Sequence, residues 1–270
     1  MRQGYLRTDL AAELIKPKTK KIDEYITRTD VVLDAKAAAR YHKPEGVYTT
    51  IESDVVLKGD TDGYKRLTEA LRDALREFTG MSDNCLVVGL GNPNMTADAL
   101  GSGVSKRIAV TRNLPTEAGE DGARPKGIST ICPNVLGVTG IESFDIVKGV
   151  VERVKPALVL VVDSLCAAAT ERIAAAFQIC SAGITPGSGV SNFRFRLDEQ
   201  SLGVKVVSLG VPLVVYAATI VREAAGASDI NEKFAKMIVT PKDIDLIVED
   251  CAEIIAGAIN GALKSRVHTT

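Results

Sequence analysis

Residues 85–103 read CLVVGLGNPNMTADALGSG: a wholly apolar, β-branched run that ends in glycine and passes into a helix-forming segment. An apolar run of this kind suits a strand covered on both faces, the usual setting of a parallel sheet. A strand that exits through Gly-x-Gly into a helix is also how a phosphate cradle begins. Here the fingerprint is incomplete. Its third glycine is replaced by Asn94, and Pro93 lacks an amide hydrogen. A Walker-type loop must end in Gly-Lys-Ser/Thr, and GSGVSKR does not. On this reading Gly89 and Gly91 allow a tight strand exit, and what the stretch delivers is an acid, Asp98.

Farther along the chain, PALVLVVD (156–163) is a second buried strand, which Asp163 ends, and VKVVSLGVP (204–212) is a third. GVYTTIESDVV (46–56) and GISTICP (127–133) read as further strands. Between them stand helices. DAKAAARY (34–41) is one, and 62–80 sets Tyr64, Leu67, Leu71, Ala74, Leu75 and Phe78 on one face before Gly80. Residues 142–155, AAATERIAAAFQI (167–179), 214–226 and 241–265 complete the helical set. Residues 1–30, polar and lysine-rich, read as a mobile arm, and 191–200 as an exposed hairpin or loop. Strands alternating with helices predict one α/β domain with a largely parallel central sheet.

Composition narrows the function classes. The formal net charge is −1, Trp is absent and aromatics are 4%, so neither a basic field nor base-stacking platforms point to nucleic acid. The five cysteines form no C-x-x-C pair, which fits reduced thiols in a cytoplasmic setting. The N-terminus lacks the apolar run of a signal peptide, and no stretch reaches the length of a membrane span.

Asp98 lies just past the first buried strand and Asp163 at the end of the second. Functional groups of open parallel sheets collect at these carboxyl ends. Two carboxylates brought close cannot both ionise freely, so one keeps a proton and the pair divides acid and base roles. That division suits hydrolysis of an amide by an activated water. Structural roles compete: Asp98 could be a helix N-terminal acid favoured by the dipole. No metal or cofactor site is predicted. The histidines are His42 and His268, and neither has H-E-x-x-H spacing. Cys166 reads as a buried thiol. No Gly-x-Ser-x-Gly elbow supports a serine triad. The glycine-rich loop 183–196 carries Arg194 and Arg196, which could meet an acidic peptide or simply be solvated.

Several segments together resemble the germination protease family of spore-forming bacteria. They are LRTDLAAE, VVGLGNPNMTADALG, CPNVLGVTGIESFDIVKGVVERVKPALVLVVDSL, GITPGSGVSNFR, LGVKVVSLGVPLVV and MIVTPKDIDLIVEDCAEIIAGAINGAL, in the family's order over nearly the whole chain. The resemblance implies a three-layer α/β/α fold similar to hydrogenase-maturation endopeptidases, whose nickel is held by two acids and a histidine. Asp98 and Asp163 fall at the acid positions, and no suitable histidine accompanies them. It further implies a homotetrameric, cytoplasmic endopeptidase of the forespore and spore core. Such an enzyme starts the degradation of small acid-soluble spore proteins, prefers to cut after Glu, and touches neither DNA nor membrane. The aspartate pair is implied as catalytic. The protein would be an autoprocessed zymogen cut at Asp9–Leu10, with residues 1–9 as propeptide and 10–270 as the peptidase domain.

Three features depart from the family. Ala168 and Tyr216 stand where an Arg and an Asp are usual, and a long segment before MIVTPKD is missing. A metal-dependent peptidase of the hydrogenase-maturation type, or a degenerate homologue that binds spore proteins without cutting them, are the alternatives.

Overall fold

The structure, a computed structural model, describes residues 8–15, 17–80, 82, 84–114, 127–185, 195–226 and 236–263. Its strands are β1 (Lys18–Lys21), β2 (Thr27–Leu33), β3 (Gly46–Glu52), β4 (Cys85–Gly89), β5 (Ile128–Ile131), β6 (Leu158–Ala167), β7 (Ala176–Cys180), β8 (Lys205–Tyr216) and β9 (Ile238–Val239). Its helices are α1 (Ala35–Tyr41), α2 (Val55–Lys58), α3 (Thr61–Thr79), α4 (Leu100–Ser105), α5 (Leu136–Thr139), α6 (Ser143–Val154), α7 (Glu199–Leu202), α8 (Ala217–Ala225) and α9 (Ile244–Leu263). Among the described residues the strands form one mixed sheet, ordered β1-β2-β3-β7-β8-β6-β4-β5, with β9 against β8. Neighbours among β5, β4, β6 and β8 run parallel. The strands β1, β2, β3 and β7 extend the sheet antiparallel from β8.

The alternation of side chains along the strands builds two cores, and these make the fold three-layered. On one face Cys85, Val87, Leu158, Leu160, Val162, Val207 and Leu209 meet Leu67, Leu71 and Leu75 of α3 and the apolar stripe of α9. On the other, Leu86, Val88, Val159, Val161 and Val206 meet Val147 and Val151 of α6. β4 and the Leu158–Val162 part of β6 are buried on both faces, as their unbroken apolar composition requires.

Three expectations are corrected. Of residues 1–30, expected as a mobile arm, 18–30 belong to the edge hairpin β1–β2 and Asp9 is docked on Cys166 and Gln178. All four residues of β1 are exposed, so its lysines read as solvent chain although they cap a sheet edge, where charge discourages further pairing. AAATERIAAAFQI is not a helix. A 3-10 turn at Thr170–Arg172 leads through Ala174, at φ +54°, into β7. There Phe177 and Ile179 fill the core between β3 and β8, and pairing on both sides overrides alanine's helical preference. Finally, Asp163 lies inside β6 rather than at its end, because β8 runs beside that strand as far as Ala167↔Val215.

Candidate active site

The site is built from the exit of β4. A Cβ on Gly89 would stand 2.1 Å from the carbonyl oxygen of Gly101, and one on Gly101 would stand 2.3 Å from that of Leu90. Backbone therefore packs on backbone, and α4 lies directly on the end of β4. Gly91 has φ +96°, and a Cβ there would meet the Asp98 carbonyl at 2.0 Å. This closure folds the intervening loop back on itself. Asp98 ends the 3-10 turn Thr96–Asp98, and its Oδ2 accepts the Asn92 N–H at 2.8 Å. The turn packs against β6, β8 and α9.

Asp163 arrives from the neighbouring strand. The last β4–β6 pair is Gly89↔Val162, followed by the Leu90 N–H on the Val162 carbonyl at 2.8 Å. Asp163 is thus the first β6 residue beyond the end of β4, although it is interior with respect to β8. Its side chain is buried (5% exposed), and its Oδ1 accepts the Ser164 N–H at 2.9 Å. Buried carboxylates are rare unless hydrogen-bonded or functional.

The N-terminal segment docks on the same strand. The Asp9 N–H donates to the Cys166 carbonyl at 2.8 Å, and the Cys166 N–H donates to Asp9 Oδ2 at 2.9 Å. Lys43 Nζ lies 3.4 Å from Asp9 Oδ1. Gln178 spans the Asp9–Leu10 bond: its Nε2 donates to the Asp9 carbonyl at 3.0 Å, and its Oε1 accepts the Ala11 N–H at 2.8 Å. Leu10 is fully buried in the larger core. In register, Gln178 pairs with Gly210 of β8, and Gly210 pairs with Asp163 of β6. Gln178 and Asp163 thus share one row and one face of the sheet.

Glu13 pins the segment's far end. Its Oε2 accepts the Ala168 N–H at 2.9 Å and the Thr8 hydroxyl, and its Oε1 lies 3.5 Å from Arg172 Nε. Burial pushes the Glu13 carboxyl above the usual carboxylate range, against the pull of Thr8, the Ala168 N–H and Arg172. The folded chain therefore holds this proton more tightly than the unfolded one. The resulting stability is fully present below the ordinary carboxylate pKa and is lost as pH rises through the raised folded value. Glu13→Gln, neutral throughout, is expected to flatten that part of the profile of urea midpoints against pH. An unchanged slope would assign it to another group.

Arg196 donates from Nη2 to the Ala182 carbonyl at 2.7 Å and pairs with Asp198 at 3.0 Å, so its guanidinium is held by its own loop. Arg194 lies outside the described residues. A cleft of about 550 Å³ is lined by Glu24, Glu52, Asp54, Lys58, Glu171 and Arg172, among others, and touches neither aspartate. It meets the docked segment through Arg172, which joins Glu52 to Glu13. Among the described residues no three His, Cys, Asp or Glu side chains gather as metal ligands. Burial raises the Cys180 and Cys251 thiols and pushes Cys85 up to about 12, which leaves them poor nucleophiles. Lys43 and Gln178 escaped sequence reasoning. Neither carries a motif, and each reaches the segment only through the fold.

The family described as germination protease matches residues 7–227. This chain belongs to the germination protease family. Its members are peptidases of spore germination. The germination protease of Caldanaerobacter subterraneus subsp. tengcongensis is 36% identical over 305 aligned residues, covering 96% of this chain and 94% of its own. That of Clostridium perfringens strain 13 is 36% identical, with coverages of 96% and 95%. That of Bacillus velezensis is 30% identical, with coverages of 98% and 95%. Alignments of 305 and more residues against a chain of 270 mean that these family members carry segments this one lacks. Among solved structures, a nickel–iron hydrogenase maturation protease of Thermococcus kodakarensis is similar at a TM-score of 0.40 and 19% identity, over 69% of this chain and 98% of its own.

Proposed function

We propose that this chain is an aspartate-dependent endopeptidase that initiates degradation of small acid-soluble spore proteins in the spore core. In this reading it is made as a zymogen and activated by its own cleavage of Asp9–Leu10. Residues 1–9 are the propeptide, 10–270 the peptidase domain, and the working form is a tetramer. The observation that carries the reading is the docked segment. The Asp9–Leu10 bond is held at both flanks by Gln178, which shares its row with Asp163.

In the chemistry proposed, the ionised member of the Asp98/Asp163 pair takes a proton from water, whose oxygen bonds to the Asp9 carbonyl carbon. The protonated member gives its proton to the Leu10 nitrogen as the C–N bond breaks, and the remaining hydroxyl proton of the new Asp9 carboxyl passes to the amine, leaving a carboxylate and an ammonium. Gln178 Nε2, already on the Asp9 carbonyl, is placed to stabilise the oxyanion that develops there.

The test is to incubate purified full-length protein at mildly acidic pH, follow its mass, and then add a small acid-soluble spore protein. Loss of residues 1–9 followed by cleavage of the added protein is expected. An intact terminus with uncut spore protein overturns the reading. Sedimentation of the processed chain as a species smaller than four copies would overturn the tetramer alone.

A further inference from the structure

The contacts around Asp9 form a built subsite with its occupant in place. The carboxylate is met by the Cys166 N–H at 2.9 Å and the Lys43 ammonium at 3.4 Å, and the carbonyl by Gln178 at 3.0 Å. The Asp9 and Lys43 side chains are only 11% and 15% exposed, so water screens the pair little. Lys43 is brought in by the turn that ends α1, where His42 takes φ +53° and reverses the chain. Ala168 cannot serve as the reader of this carboxylate: it offers an N–H, and Glu13 takes it.

We propose that Lys43 and the Cys166 N–H are the specificity subsite for an acidic residue on the N-terminal side of the cleaved bond. Gln178 positions the main chain across that bond. Asp9 fills the subsite in cis, and an acidic residue of a protein substrate fills it in trans. This rests on the reading of Asp9–Leu10 as the processed bond.

The geometry also explains how the subsite is vacated. Before cleavage the buried Leu10 N–H donates to Thr8 Oγ1 at 2.9 Å. Cleavage converts it to an ammonium, whose charge is costly to keep in an apolar setting. Cleavage also severs residues 1–9 from the rest of the chain, so Asp9 departs with that fragment and the subsite opens to other chains.

The test reads the rate of N-terminal clipping in the full chain by mass spectrometry. Asp9→Asn and Lys43→Met are each expected to slow clipping about 10-fold, the scale of one charged hydrogen bond. The double variant should be no slower than either single one, because both remove the same interaction. Lys43→Arg, which keeps a cation opposite the Asp9 carboxylate and leaves the Cys166 N–H its acceptor, should retain most of the rate that Lys43→Met loses. The processed wild-type chain should also cut a peptide of residues 4–15 about 10-fold faster than the same peptide with Asn in place of Asp9. Additive single effects, a Lys43→Arg chain as slow as Lys43→Met, or equal rates on the two peptides overturn the subsite while leaving the peptidase reading intact. A wild-type chain that clips neither itself nor the peptides overturns both.

Discussion

Asp163→Asn is expected to leave the fold intact and slow Asp9–Leu10 clipping by about 10²–10⁴-fold, the usual contribution of one positioned acid or base. The substitution is close to isosteric. Asparagine keeps an oxygen to accept the Ser164 N–H, so β6 retains its bulged pairing with β8. What disappears is the capacity to hold and release a proton. Asp98→Asn tests the partner in the same way, because an amide oxygen can still accept the Asn92 N–H that closes the loop. Both variants should melt within a degree or two of the parent. If the two residues act as one unit, the double variant should be hardly slower than either single one. Full clipping by either single variant would end the paired-carboxylate assignment.

Gly89→Ala is expected to destabilise the chain by about 1–3 kcal/mol, the usual cost of overpacking, and to abolish clipping as well. The backbone of Gly89 is not in the left-handed region, so alanine suffers no torsional strain there. The obstacle is steric: its Cβ would lie 2.1 Å from the Gly101 carbonyl oxygen and 2.5 Å from Ser105 Oγ. To make room α4 must lift from β4, and the turn that carries Asp98 moves with it. Gly149 of α6 is the control, since nothing lies within 4 Å of a Cβ there. Gly149→Ala should stabilise by roughly 0.5–1 kcal/mol through helix propensity and leave clipping unchanged. Denaturant midpoints and the clipping rate read both. A Gly89→Ala chain of normal stability and rate would show that the glycine contact does not position Asp98.

The residues differ in how openly they announce these roles. β4, the first half of β6 and β8 as far as Pro212 were legible because a strand buried on both faces holds mainly apolar side chains, whereas Val214–Tyr216 read as the start of a helix and in fact end β8. β7 was not, because the alanines that lead into it (Ala167–Ala169 and Ala174–Ala176) favour a helix and only the pairing of Gln178 with Gly210 and of Ile51 with Phe177 makes it a strand. β1 was hidden for the opposite reason, since an exposed edge needs no apolar residue. Asp98 and Asp163 stood out as acids next to apolar runs. Lys43, 34 positions from Asp9, and Gln178, 169 from it, had no local signal at all.

The strand–helix alternation, the glycine exit from β4 and the two aspartates beyond it are written in local sequence, because burial and backbone sterics act on neighbouring residues. That β4 stops one residue short of Asp163 while β8 runs on, and that Asp9 lies against Cys166, Lys43 and Gln178, emerges from the packing of the folded chain. Register and long-range hydrogen bonds depend on how distant segments pack, and no local pattern encodes them.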